Sequence, residues 1–452
     1  MTIERGESSA TLAASAVSVE PLAFEDPLSL PSLELRLQHE WLVWDAWVGG
    51  KRRVDLHPLV LSSQAHEAAV RTASAAWSLV AEAAERAFAD PAERARYRLH
   101  RDVERLAFAA REAGDLGAIA RVDLLLREDG RFVACEVNAD CPGGYNETLA
   151  LPRLAREAGL RRGVDPTHVA ARLADLLVER SGGPGSPRGI IALLYATAYA
   201  EDLQVCALVE RLVRERGGRA VRAAPTALQP LDGGVGIRGE KVAVLYRFYP
   251  LEHMAGQRNI DAIARATAAG CLSSVSSFAW IYAQSKLAMA RATLHDPARA
   301  AAAFPETCML ADLPRERLVA EREQWVVKRD LSRVGDHVFV GGMMTAGDFA
   351  ELLAEIAAAE AHAAPDDPCA QVWIAQRYVP QRAIATPWGP RLLTLGVYLV
   401  DGAFAGYFAR LSPDSLCSHD ALVLPVFLRD AERSGDAPRS DGARARAREV
   451  AA

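Results

Sequence analysis

The chain is 452 residues long, 50% apolar and 24% charged, the make-up of a globular protein with enough sequence for about two or three domains, each able to bury its own core. Its 52 Lys and Arg against 58 Asp and Glu give a formal net charge of −6, so neither nucleic acid nor a membrane surface is expected as the principal partner. The seven cysteines, at 135, 141, 206, 271, 308, 369 and 417, are odd in number and form no C-x-x-C pair. That argues against a zinc site or a disulfide framework and fits a reduced, cytoplasmic setting.

Residues 1–33 carry neither a basic n-region nor a sustained apolar core and read as a disordered leader rather than a signal peptide. Residues 34–181 open with a pattern that reads as mostly helical from Glu34 to about Ala120. From Ser62 to about Gly114 apolar positions recur at three- and four-residue spacing, with Asp90 and Pro91 as a break and restart.

The stretch "RVDLLLREDGRFVACEVN", 121–138, then changes period to two. Asp129 and Gly130 predict a two-residue hairpin turn, because both central residues of a type I′ turn need positive φ. Counting from that turn places Asp123 opposite Glu136 and Arg121 opposite Asn138. Val122, Leu124 and Leu126 then share an apolar face with Val133, Cys135 and Val137. Two carboxylates facing each other destabilise a strand pair unless something compensates. A hard divalent cation would, since Mg²⁺ takes oxygen ligands, often one or two carboxylates plus substrate phosphates. A solvated face with Arg121 neutralising the acids is the alternative, and a three-residue Glu-Asp-Gly loop would shift the register.

After a loop, "ADCPGGYNE", and a helix, the stretch "SGGPGSPRG" marks a boundary near residue 182. Residues 182–270 read as a small α/β domain: "GIIALLYAT" as a buried strand too short to span a bilayer, "EDLQVCALVERLVRERGG" as an amphipathic helix and "RAVRAAP" as the next strand, a βαβ-like unit. Residues 271–428 combine helices, among them "AWIYAQSKLAMARATL", with short strands. The segment 429–452 alternates charges with small residues and reads as a disordered tail.

Three cations of the second half stand out. Lys328 in "WVVKRD" sits on a buried strand, where an ammonium needs an anion such as phosphate. Lys286 lies on a helix and alone reads as a surface lysine. Arg410 ends the strand "GYFARLSP", where a guanidinium can clamp a phosphoryl or carboxylate group or simply close a strand-end ion pair. The glycines of "RVGDHVFVGG" match neither the Walker A nor the Rossmann pattern, and there is no H-E-x-x-H, G-x-S-x-G or kinase motif set. Cys141 has no histidine nearby to make it a nucleophile.

Taken in order, "RVDLLLREDGRFVACEVNADCPGG", "VLYRFYPLE", "SSFAWIYAQSKLAMA", "WVVKRD", "WIAQRYVP" and "GYFARLSP" resemble the glutathionylspermidine synthase-like branch of the ATP-grasp superfamily. The resemblance covers roughly residues 100 to 428. It implies an α/β (α+β mixed) chain with a circularly permuted ATP-grasp fold, in which metal-binding strands precede the ATP-binding lysines. The resemblance further implies Asp123, Glu136 and Asn138 as Mg²⁺ ligands, and Lys286 and Lys328 as contacts to ATP phosphates. Gln376 and Tyr378 would lie on the strand beside adenine, Arg410 near the reacting phosphate and Arg121 at the acceptor end. The activity it implies is an ATP- and Mg²⁺-dependent joining of a carboxylate to an amine through an acyl phosphate. The chain departs from the branch in having no recognisable amidase-like module and in placing Arg377 where an acidic residue is common. Glutathione and spermidine are therefore not carried over as substrates. A phosphotransferase with the same ATP site, and a nucleotide-binding partner protein without turnover, are the rival readings.

Overall fold

The computed structural model describes residues 16–22, 30–183, 188–333, 335–362 and 372–430. Most of the expected leader and all but the first two residues of the expected tail lie outside the described residues. Within the leader span, however, Val17–Val19 forms a strand antiparallel to Leu59–Leu61, which in turn runs parallel to Val426–Leu428. Both ends of the described chain are thus joined in one small sheet.

The centre is a five-stranded antiparallel sheet in the order Leu422–Leu424, Ala403–Ser412, Leu392–Val400, Ile119–Leu126, Phe132–Asn138. Period-two alternation sends Val122, Leu124 and Val397 to an apolar face and Asp123, Arg121 and Arg410 to the other. The long helix Ser63–Ala89 lies near the apolar side. Its start is capped by the Ser62 hydroxyl, which accepts from the Ala65 amide at 3.1 Å. Its buried face is mostly alanine, at 65, 69, 73, 76, 83, 84 and 87, so helix and sheet approach closely. Asp90 closes this helix and caps the next, Pro91–Ala95, with proline at its first position.

The 190–275 region is the α/β unit expected from the sequence. Four parallel strands lie in the order Ala220–Ala223, Ile190–Tyr195, Glu240–Phe248, Ser273–Val275, and the helix Ala200–Glu215 makes the first crossover. A third sheet is antiparallel, ordered Thr307–Met309, Trp373–Arg377, Trp325–Arg329, Val338–Val340. One of its faces packs Trp325, Val327 and Ala375 on the helix Ala346–His362 through Phe349. The opposite face, by parity, carries Val326, Lys328 and Gln376 towards the five-stranded sheet.

Two local expectations are corrected. The hairpin turn is a three-residue loop, Glu128 to Gly130, closed by Arg127 and Arg131, with Gly130 at φ 81°. Pairs near the turn are therefore displaced, Leu126 facing Phe132 and Leu124 facing Ala134. Cys135 then enters as an unpaired bulge residue and restores the offset, so that Asp123 faces Glu136 and Arg121 faces Asn138. Phe132 and Ala134, not the expected Val133 and Cys135, therefore share the apolar face with Val137. The expected single helix around "AQSKLAMA" is also two, Ile281–Gln284 and Leu287–His295, broken at Ser285, whose hydroxyl accepts from the Leu287 amide at 3.2 Å.

Candidate active site

The nine side chains singled out by sequence all line one cavity of about 750 Å³ between the five-stranded and four-stranded sheets. At its centre the facing carboxylates are compensated by cations of the chain itself. Asp123, 2% exposed, receives Arg121 Nε on Oδ1 at 2.7 Å, and Arg121 Nη2 and Arg410 Nη2 on Oδ2 at 3.0 and 2.6 Å. Burial pushes the Asp123 carboxyl pKa up, but the two guanidiniums outweigh it and hold the group at about 2. Gly396 is opposite Asp123 in the sheet, and a Cβ there would sit 2.7 Å from Arg121 Cδ; the glycine leaves room for the guanidinium. Arg121 also donates to the Gly143 carbonyl at 3.0 Å.

Glu136 pairs with Lys286 Nζ at 3.0 Å. Burial opposes ionisation of Glu136, and Lys286 overcomes it, holding the pKa below the usual glutamate range. The surface reading of Lys286 is overturned: the residue is 4% exposed, because the break at Ser285 turns it inward, and Nζ also donates to the Ser332 carbonyl at 2.7 Å. Lys328, 8% exposed, donates to Gln376 Oε1 at 2.7 Å and to the Cys135 carbonyl, freed by the bulge, at 3.0 Å. Burial lowers the Lys328 pKa.

Four cations thus meet two carboxylates, and the excess of positive charge suits a polyanion. Gln376 uses its Nε2 on the Thr307 hydroxyl at 3.0 Å, so both ends of its amide serve to orient Lys328. Tyr378 meets Ser415 at 2.7 Å. The Arg377 guanidinium stacks on the Trp325 ring at 4.0 Å and pairs with Glu306 and Glu321, which places it on the other face of its strand. Asn138 Nδ2 donates to Asp123 Oδ2 at 3.3 Å, leaving its oxygen as a further donor beside two carboxylates. That all-oxygen set fits Mg²⁺ sharing its remaining positions with substrate phosphates. Among the described residues no group of three or more His, Cys, Asp or Glu converges as a metal cluster. Cys141 also lines the cavity, but burial pushes its thiol up to about 12, which keeps it a neutral thiol.

Further lining residues were not legible in the sequence. Asp45, Glu147, Glu201 and Asp202 line the cavity with Arg53 and Tyr199, drawn from three distant segments that share no motif. Arg53 pairs with Asp45 and, at 3.5 Å, with Glu147. Burial raises the Asp202 carboxyl to about 6, against a hydrogen bond from the Ala196 amide. Asp330 was also missed, although it ends the "WVVKRD" stretch and shares strand parity with Lys328.

No family model and no curated relative matches the sequence. Among solved structures, the apo form of a glutathione synthetase-like effector from Globodera pallida is similar at TM-score 0.55 and 13% identity, over 91% of this chain and 99% of that one. A provisionally assigned gamma-glutamylcysteine synthetase from Methylobacillus flagellatus KT aligns over 71% of this chain and 81% of its own at 12% identity, with a TM-score of 0.37, too low to carry a shared fold. The chain therefore has a mixed α/β fold similar to that of a glutathione synthetase-like protein. No helix among the described residues is long and apolar enough to cross a membrane.

Proposed function

We propose that the protein is an ATP- and Mg²⁺-dependent carboxylate-amine ligase with a permuted ATP-grasp arrangement. The observation that carries this reading is the burial in one cavity of Arg410 with Asp123, Lys286 with Glu136, and Lys328. The chain order supports permutation, since the carboxylate hairpin precedes both lysines.

Lys286 and Lys328 hold the phosphates of ATP, Lys286 exchanging its carboxylate partner for a phosphate oxygen while the Ser332 and Cys135 carbonyls keep the two ammoniums in place. Asp123, Glu136 and Asn138 would hold Mg²⁺, which when bound would supply charge neutralisation on the transferring phosphoryl group. Arg410 stabilises charge on the same group and Arg121 orients the acid. A carboxylate oxygen of the acid, an amino-acid-like or peptide molecule in this reading, attacks the γ-phosphorus; the bond to the bridging oxygen breaks and ADP leaves. The amine nitrogen then attacks the acyl carbon, phosphate departs, and the nitrogen gives up a proton to form the amide. The cavity-lining carboxylate of Asp202, raised to about 6, is suited to take the proton that an incoming ammonium loses before its nitrogen attacks. The protein's contribution is chiefly to place reactants and exclude water.

The reading is tested by Mg²⁺-dependent ADP release across pooled carboxylic acids with hydroxylamine present. ADP together with a hydroxamate is expected. A stable phosphorylated product without hydroxamate would replace this reading with phosphotransfer, and ATP binding without turnover would favour a non-catalytic partner protein.

A further inference from the structure

Asp330 follows the strand Trp325–Arg329 directly and is 4% exposed. Its Oδ1 accepts the backbone N–H of Lys286 at 2.6 Å and its Oδ2 the Ser285 hydroxyl at 2.8 Å, while its own N–H donates to the Val372 carbonyl at 2.8 Å. Two residues further on, the Ser332 carbonyl accepts Lys286 Nζ at 2.7 Å. One short segment, 328–332, therefore carries the first lysine, clips the backbone of the second and seats its ammonium. The contact falls at the place where the helix around Lys286 is broken, and the break is what frees the Lys286 N–H to be donated. A buried carboxylate is costly, and burial raises the Asp330 pKa against the bonds from Ser285 and Lys286. A fold needing only apolar packing here would have no use for it.

We propose that Asp330 is a positioning residue that fixes the spacing between Lys328 and Lys286, and so the fit of the site to a chain of linked phosphates. The proposal rests on the reading that these two lysines bind nucleotide phosphates. Asp330 itself touches no phosphate; it acts through the turn 285–286. Its effect is therefore confined to the part of a ligand that both lysines hold. The nucleoside end, near Tyr378 and the strand Trp373–Arg377, does not depend on it.

The test compares wild type, Asp330→Ala, Asp330→Asn and Ser285→Ala in binding of Mg·ATP and of adenosine by titration calorimetry, adenosine by competition where its heat is small. Loss of a charged acceptor for two donors is expected to weaken Mg·ATP by about tenfold or more in Asp330→Ala and by roughly threefold in Ser285→Ala. Adenosine affinity stays within about twofold in both. Asp330→Asn, which keeps an oxygen for the Lys286 N–H, recovers most of the ATP affinity. Unchanged ATP affinity in Asp330→Ala, or an equal loss of ATP and adenosine in Asp330→Ala and Ser285→Ala, would overturn the positioning role. A wild-type protein that binds adenosine but gains nothing from the phosphates would instead overturn the reading of the lysines on which it rests.

Discussion

Asp123 shows how a buried charge is kept. Two guanidiniums from different strands, 121 and 410, converge on one carboxylate, and the neighbouring glycine at 396 makes the space. Removing only the carboxylate leaves both guanidiniums uncompensated, which in buried networks costs about 3–5 kcal/mol. Asp123→Asn is accordingly expected to lose stability of that order in chemical denaturation at pH 7. Its folded pKa lies below the unfolded value, so the stabilisation is complete above about pH 4 and is lost as pH falls towards 2. The gap between variant and wild type should narrow over the same interval, by up to about 2.5 kcal/mol; a gap unchanged from pH 7 to pH 2.5 would contradict the pairing. At this scale the expected pairing of Asp123 with Glu136 holds, but not for the local reason that suggested it, since the longer loop displaces the register and the bulge restores it. The sequence could not reveal Arg410 as the partner, 287 residues away, or choose between a metal and the chain's own cations as what relieves the repulsion.

The hairpin reached the expected pairing by an unexpected route. A loop one residue longer than the two-residue turn displaces the register, and the bulge at Cys135 returns it. The bulge is not neutral, since the Cys135 carbonyl it turns out of the ladder is an acceptor for Lys328. Deleting Glu128 would leave the two-residue Asp-Gly turn closing the same Arg127 and Arg131 pair, so ATP affinity should stay within about twofold. Deleting Cys135 keeps Glu opposite Asp123 but removes that acceptor, and should weaken ATP several-fold, about the value of a hydrogen bond to a charged group. Equal effects of the two deletions would deny the bulge its role. The bulge, like the helix break at Ser285, was illegible because its cause is tertiary. Local periodicity favours an unbroken helix through Lys286, and the carboxylate of Asp330 outbids it.

Across the whole molecule, the hairpin, the strands of the βαβ unit and most strands between 325 and 412 were foreseeable, but the small sheet of Val17–Val19, Leu59–Leu61 and Val426–Leu428 was not, because it joins distant segments, one in the expected leader and one in a stretch read as helical. The cavity was not, because it lies between sheets whose order along the chain is interleaved: the five-stranded sheet takes strands from both 119–138 and 392–424. That interleaving brings Asp123 and Arg410, on the five-stranded sheet, to face Lys328 on the four-stranded sheet, with Lys286 added from the helix break. It also adds Asp45, Glu147 and Asp202 to the cavity lining from segments that share no motif.

The central claim is that the cluster of cations in the cavity binds the phosphates of ATP. Calorimetric titration of Mg·ATP into wild type and Lys328→Ala tests it most directly. Saturable binding by the wild type, weakened about tenfold or more in a Lys328→Ala protein that melts cooperatively, is the predicted result. Equal affinity in the two proteins, or no binding by the wild type at millimolar ATP, would contradict the account.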